Sequence, residues 1–178
     1  MWFDYLILKS IIMKKNLLWL LCPVLFTSCI FSNGGDDDFS DPPQSSYQPV
    51  VMPRSEFESS VALLPNQEIS KSGKIYIKEN LLFINEFREG FHVFNYSDAT
   101  NPQPIAFIKV PGATDLAVRN NKIYINQAVD LLTLEYIPQT NSITVVSRNR
   151  NIFPPMLSPD GFVGYYATGE IIINYNQI

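Results

Sequence analysis

The sequence predicts an all-β fold for residues 71–178, preceded by an export signal and a flexible tether. Three observations support this prediction. Short apolar or alternating segments are bounded by turn residues, their pattern recurs after about 40 residues, and a polar, proline-rich stretch lies ahead of them. The chain of 178 residues has a formal net charge of −4 and no cluster of lysine and arginine residues, which argues against a nucleic acid as partner.

Residues 1–28 have the layout of a secretory signal peptide. Two lysines follow Met13, and an apolar run then occupies residues 17–26. Met13 is the expected start, because Asp4 and Lys9 would otherwise precede the positively charged region. The apolar run is shorter than the roughly 20 residues that a membrane-spanning helix needs, so we expect the segment to be cleaved.

The motif FTSC at residues 26–29 resembles the lipobox of bacterial lipoproteins, with Phe26 in place of the usual leucine. The resemblance implies cleavage after Ser28, acylation of Cys29 and a lipid anchor in the outer membrane of the cell envelope. The alternative is that Cys29 is an ordinary thiol near an ordinary cleavage site. Removal of residues 1–28 would leave Cys29 as the only cysteine, so an intramolecular disulfide would be impossible.

Residues 29–70 are predicted to form a flexible tether, because their composition buries too little apolar surface to offset the chain entropy. The aspartates at 36–38 resemble the acidic export signal of Bacteroidetes surface lipoproteins. Both the periplasmic and the surface-exposed face of the outer membrane remain open, and solvation alone is the plainer explanation of the run. Adjacent aspartates in a flexible chain do not converge on one ion, so no metal or cofactor is predicted.

Two segments of the C-terminal part are similar to each other. Residues 78–97 (KENLLFINEFREGFHVFNYS) align with residues 119–138 (RNNKIYINQAVDLLTLEYIP) at an offset of 41, which becomes 40 after a one-residue deletion in the second copy. The matched pairs are Asn80 with Asn121, Leu82 with Ile123, Phe83 with Tyr124, Ile84 with Ile125, Asn85 with Asn126, Phe91 with Leu131, Phe94 with Leu134 and Tyr96 with Tyr136. A period of this length indicates a repeat architecture.

Each unit is predicted to contain four short antiparallel strands. The expected strands are 73–78, 81–86, 90–96 and 105–110 in the first unit, 115–119, 122–127, 130–136 and 143–148 in the second, and 162–167 and 171–175 in a third. This is the content of a β-propeller blade, so the prediction is an incomplete propeller-like array of two blades and part of a third. Because a closed propeller has four or more blades, we expect the N-terminal part of a longer protein or a truncated relative, with closure by oligomerisation as the less favoured alternative.

Residues 90–112 (GFHVFNYSDATNPQPIAFIKVPG) resemble the LVIVD repeat, a propeller-type repeat of secreted bacterial proteins. That repeat consists of a glycine, an apolar strand, an Asp-Pro-type turn and a second apolar strand. Asn95 occupies the position where aspartate is usual, and the second copy, at 130–136, is a weaker match. The resemblance covers roughly residues 71–150 and implies a fold, whereas the family has no defined activity.

Residues with catalytic potential are few. His92 is the only histidine and lies in an apolar strand, so a structural role is expected and a zinc site or a Cys-His pair is excluded. Glu86 and Glu89 flank the turn after the second strand, and Phe87 lies in that turn. These three residues are the predicted binding surface, although solvation of a hairpin turn explains the two carboxylates equally well.

The predicted function is a non-catalytic binding or scaffold module, held at a membrane by its lipid anchor, that engages an envelope protein or a glycan. Loops presented by repeated β-units offer wide surfaces for such contacts. The alternative is an exported, glycan-directed hydrolase that uses Glu86, Glu89 or Asp115. A glycosidase of this kind holds two carboxylates about 5–10 Å apart around a cleft.

Overall fold

The structure is a computed structural model that describes residues 44–178, and it confirms the all-β fold class. The predicted signal peptide, the lipidation site Cys29 and the acidic run at 36–38 lie outside the described residues. The elements are β1 (Tyr47–Pro53), α1 (Arg54–Ser59), β2 (Ala62–Pro65), β3 (Ser72–Lys78), β4 (Leu81–Glu86), β5 (Gly90–Asn95), β6 (Gln103–Lys109), β7 (Ala113–Arg119), β8 (Lys122–Gln127), β9 (Asp130–Ile137), β10 (Ser142–Asn149) and β11 (Glu170–Gln177).

The strands form three antiparallel sheets. The five-stranded sheet has the order β2-β6-β5-β4-β3, the four-stranded sheet has the order β10-β9-β8-β7, and β1 pairs with β11 alone. Strands β3 to β6 and β7 to β10 are therefore two meanders in which each strand pairs with the next along the chain. The eight strands predicted for residues 73–148 are present, and their observed ends lie within two residues of the predicted ends.

Tight turns with left-handed residues join the first two strands of each meander. Glu79 (φ 55°) lies in the β3–β4 turn, and Asn120 (φ 47°) and Asn121 (φ 59°) form the β7–β8 turn. Two-residue hairpins favour positive φ because the resulting twist matches the twist of the strands. Asparagine tolerates this conformation better than most residues, which fits the sequence of the second turn.

The middle turns of the two meanders differ from each other by one residue in length. Residues 87–89 connect β4 to β5, whereas residues 128–129 connect β8 to β9. Both turns contain a left-handed residue, Arg88 at φ 64° and Ala128 at φ 48°. The one-residue deletion in the sequence alignment therefore falls in a turn, where it leaves the pairing of the flanking strands intact.

The two larger sheets bury one shared hydrophobic core. Its buried members come from both sheets: Phe83, Phe91, Val93 and Ile108 from the first, with Val110 directly after β6, and Leu116, Ile123, Ile125, Leu132 and Leu134 from the second. Alternation along each strand explains the pattern, because every second side chain points to the same face. A smaller core contains Phe57 of α1 and Ile171 of β11.

The predicted tether over residues 29–70 is wrong for residues 47–65, which form β1, α1 and β2. Its apolar residues find partners far along the chain: β1 pairs with β11, β2 pairs with β6, and Phe57 is fully buried. Pro49 and Pro53 lie within β1, a strand of a two-stranded sheet, where prolines are tolerated. The prolines suggested a loop, but the tertiary partners override that local signal.

The predicted third unit is also only partly correct. Residues 162–167 form no strand, whereas residues 171–175 lie within β11. Strand β11 pairs with β1 near the N-terminal end of the described chain, rather than with a strand directly before it. None of the helices described between residues 44 and 178 is long and apolar enough to cross a membrane.

Candidate functional site

A cleft of about 650 Å³ opens between the two larger sheets, at the ends where the β3–β4 and β7–β8 turns lie. Ligand sites in proteins commonly have volumes of roughly 300–1,000 Å³. The lining residues are Lys78, Glu79, Asn80, Leu81, Phe83, Asn95, Ser97, Ile105, Val118, Asn121, Ile123, Glu135, Tyr136, Ile137, Pro138 and Gln139. We call this region the inter-sheet cleft.

The floor of the inter-sheet cleft is aliphatic. Leu81, Ile105 and Val118 line it as half-buried side chains packed against the shared core. The aromatic rings below them are hidden, since Phe83 is 1% exposed and Tyr136 is 5% exposed. A ligand in the cleft would therefore meet branched aliphatic groups and no open aromatic face.

The rim of the inter-sheet cleft carries amide side chains. Asn80, Asn121 and Gln139 are exposed there, and each amide can both donate and accept hydrogen bonds. Asn95 Oδ1 accepts a hydrogen bond from the backbone amide of Ser97 at 2.9 Å. That bond fixes the orientation of the Asn95 side chain and leaves its NH₂ group available to a ligand.

The charged groups around the inter-sheet cleft are paired with each other. Lys78 Nζ lies 2.8 Å from Glu79 Oε1, and Lys122 Nζ lies 2.7 Å from Glu135 Oε2. Tyr136 donates its hydroxyl hydrogen bond to Asn141 Oδ1 at 3.0 Å, and burial raises the pKa of Tyr136. The cleft thus offers hydrogen bonds and apolar contact with little net charge.

Glu86 is buried, which corrects its expected place on an exposed binding surface. Its Oε2 lies 2.9 Å from His92 Nε2, and the backbone amides of Ser70 and Lys71 donate to the same carboxylate. Burial raises the pKa of Glu86, but the hydrogen bonds from His92 and the two amides outweigh it and hold this pKa below its ordinary value. The segment before β3 covers the carboxylate. The His92 ring packs against Phe107 in a tilted arrangement, with ring centroids 4.8 Å apart.

Phe87 and Glu89 are exposed, as the sequence suggested, but they lie away from the inter-sheet cleft. They belong to the β4–β5 turn, at the opposite end of β4 from the turn that lines the cleft. Two cations lie over the Phe87 ring: Lys71 Nζ at 4.3 Å and Arg88 Cζ at 5.1 Å from its centroid. A binding role for Phe87 stays a prediction.

Asp115 is held between the two larger sheets. It accepts hydrogen bonds from Lys74 Nζ and from the Tyr76 hydroxyl, both on β3. Burial raises the pKa of Asp115, but the bonds from Lys74 and Tyr76 outweigh it and lower this pKa overall. Burial and the bond to Asp115 raise the pKa of Tyr76 to about 12. Asp115 therefore links β7 to β3 through side-chain hydrogen bonds.

A buried ionic cluster around Asp130 was not predicted from the sequence. Asp130 is fully buried and accepts hydrogen bonds from Arg54 Nη1 at 2.6 Å, Arg148 Nη1 at 3.0 Å and the backbone amide of Asn151 at 3.0 Å. Both guanidinium groups also lie over the ring of Phe57, at 5.6 and 5.2 Å. The cluster attaches α1 to the four-stranded sheet, and its role is structural.

Within residues 44–178, no group of three or more histidine, cysteine, aspartate or glutamate side chains could hold a metal ion. No protein-family model matches the chain, and no curated protein or solved structure matches it either. The inter-sheet cleft therefore has to be interpreted from its own chemistry. The sequence alignment pairs Asn80 with Asn121, and both lie on the rim of the cleft, but the alignment by itself predicts only a repeat.

Proposed function

We propose that this chain is a lipid-anchored protein of the cell envelope that works as a non-catalytic binding module. Its ligand is an envelope protein or a glycan, taken up in the inter-sheet cleft. The observation that carries the proposal is the composition of that cleft: an aliphatic floor, an amide rim and charged groups that already pair with one another. Concave sites that combine apolar contact with convergent polar groups are typical of ligand binding.

We further propose that the two meanders are blades of a propeller-type array. Strands β3–β6 and β7–β10 follow one another in the same order, and the deletion in the alignment falls in a turn. Neighbouring blades of a propeller bring equivalent strands together, and here β3 contacts its equivalent strand β7. The edge strand β2, which lies outside the repeat, contacts β10. The likeness of residues 90–112 to the LVIVD repeat supports the same arrangement.

The environment of the carboxylates favours binding over hydrolysis. Glu86 is buried and bonded to His92, whereas Asp115 is bonded to Lys74 and Tyr76 in a separate cluster. A hydrolytic pair needs two carboxylates on opposite sides of one bond in the substrate. None of Glu86, Glu89 and Asp115 lines the inter-sheet cleft, so a hydrolase that uses these carboxylates has no support from this geometry.

Capture from envelope extracts tests the binding function. We expect the full chain to retain a specific component, and Asn121→Asp to weaken that capture by about tenfold or more, because it replaces an amide donor with a charge. Asn120→Asp is the matched control: Asn120 lies in the same turn, also at positive φ, but does not line the cleft. Equal capture by both variants, or measured hydrolytic turnover by the wild type, would contradict the proposal.

The lipid anchor is tested at Cys29. We expect Cys29→Ser to abolish labelling by an alkyne fatty acid and to prevent cleavage by the lipoprotein signal peptidase, because it removes the cysteine of the lipobox-like motif, which would carry the acyl chains. Two or more such chains would give stable membrane attachment. Cys22→Ser, within the predicted signal peptide, is the control and should leave labelling unchanged. Wild-type protein that is unlabelled and soluble in the periplasmic fraction would refute the anchor.

A further inference from the structure

The depth profile of the inter-sheet cleft restricts the class of ligand that fits it. Apolar groups lie at the bottom, where Leu81, Ile105 and Val118 are half-buried, and amides lie only at the exposed rim. A matching ligand must point apolar groups inward and keep its polar groups at the edge. A polar group that is buried without a partner is unfavourable, so the reverse orientation is excluded.

A sugar ring meets this requirement poorly. Hydroxyl groups surround the ring, so a sugar that entered between aliphatic walls would bury hydroxyls that have no partner there. An aromatic platform for the face of the sugar is also lacking in the cleft, because the rings of Phe83 and Tyr136 are 1% and 5% exposed. The floor therefore argues against a glycan.

An extended peptide meets the requirement well. Its side chains can enter the cleft while its backbone amides stay at the rim, where Asn80, Asn121 and Gln139 can donate to its carbonyl groups and accept from its N–H groups. Because Lys78 pairs with Glu79 and Lys122 pairs with Glu135, the cleft favours a peptide without charged side chains. The shape of the floor suits branched aliphatic side chains.

Resting on the proposed binding function, we infer that the inter-sheet cleft recognises an uncharged, extended peptide segment through leucine- or valine-type side chains seated on Leu81, Ile105 and Val118. The backbone of the segment is held by the amides of Asn80 and Asn121. The partner is thus a protein of the envelope with an exposed extended segment.

Methyl NMR of the full chain in detergent micelles tests this inference with defined probes. Acetyl-SLSVS-amide should shift the methyl signals of Leu81, Ile105 and Val118, whereas acetyl-SSSSS-amide should bind about tenfold to a hundredfold more weakly because it lacks both aliphatic anchors. Val118→Thr keeps the shape of the side chain but places a hydroxyl on the floor. It should weaken binding of the first peptide severalfold, and Val146→Thr, at an exposed position outside the cleft, should not.

The outcomes separate this inference from the proposed function. If maltopentaose shifts the same methyl signals and acetyl-SLSVS-amide does not, the cleft is a glycan site, so the peptide inference fails while the binding function stands. If no probe shifts a cleft methyl signal, the peptide inference also fails. If, in addition, Asn121→Asp and Asn120→Asp capture envelope components equally well, the proposed binding function also fails. Binding of both peptides with equal affinity would refute the aliphatic anchors.

Discussion

Replacing Asp130 with asparagine is expected to lower the free energy of unfolding by about 3 kcal/mol, because it removes the buried charge that two half-buried arginines share. Asp130 is fully buried, and Arg54 and Arg148 lie 2.6 and 3.0 Å from its Oδ2. The amide of asparagine occupies nearly the same volume, so the loss reflects charge rather than packing. Urea denaturation of the wild type and the variant, followed by far-UV circular dichroism, measures the difference.

Asp98→Asn is the control for this change. Asp98 is exposed and bonds only locally to Thr100, so its replacement should alter the unfolding free energy by less than about 1 kcal/mol. A loss of less than 1 kcal/mol for Asp130→Asn would show that the arginines find other partners. The ionic cluster would then not be what attaches α1 to the sheet.

The Asp130 cluster also predicts a pH dependence. Burial raises the pKa of Asp130, but the hydrogen bonds from Arg54, Asn151 and Arg148 outweigh it and lower this pKa below the ordinary 3.8. A lowered pKa in the folded state means that the stabilisation is complete above pH 3.8 and is lost as the pH falls through the folded value. The difference between wild type and Asp130→Asn should therefore shrink on acidification below that pH.

The strands of the two meanders were predictable because their signals are local. Alternating apolar residues and turn residues predict β4 and β8 to the residue, and these strands need no knowledge of distant partners. Strand β1 was missed because its prolines indicate a loop, and only its pairing with β11, more than a hundred residues away in the sequence, makes it a strand. Where long-range pairing decides the structure, local patterns predict it poorly.

The candidate site was less predictable than the fold for the same reason. Glu86 was expected on the surface because it precedes a turn, yet the segment carrying Ser70 and Lys71 crosses over it. The partners of Asp130 include Arg54, which lies 76 positions away in a segment expected to be flexible. The inter-sheet cleft is built from turns of both meanders, so its existence depends on how the sheets pack.

Replacing Gly90 with alanine is expected to lower the unfolding free energy by about 3 kcal/mol or more. The position requires a backbone conformation that glycine adopts readily, and it leaves no space for a Cβ atom. Gly90 has a φ of 149°, and a Cβ atom there would lie 2.1 Å from the carbonyl oxygen of Ile108 and 3.0 Å from the amide nitrogen of Val110. Since Gly90 pairs with Glu86 on one side and Lys109 on the other, strand β5 cannot move away from β6 without breaking these ladders.

Gly161→Ala separates backbone strain from the steric clash of the added Cβ atom. Gly161 has a φ of 91°, but a Cβ atom there meets nothing within 4 Å, so this variant reports backbone strain alone, about 1–2 kcal/mol. The excess loss in Gly90→Ala then measures the clash with the backbone of β6. Hydrogen exchange should show that this loss is concentrated in the amides that join β5 to β6. Equal losses in the two variants would mean that β6 yields to the added methyl group, and a glycine at position 90 would then be dispensable for packing.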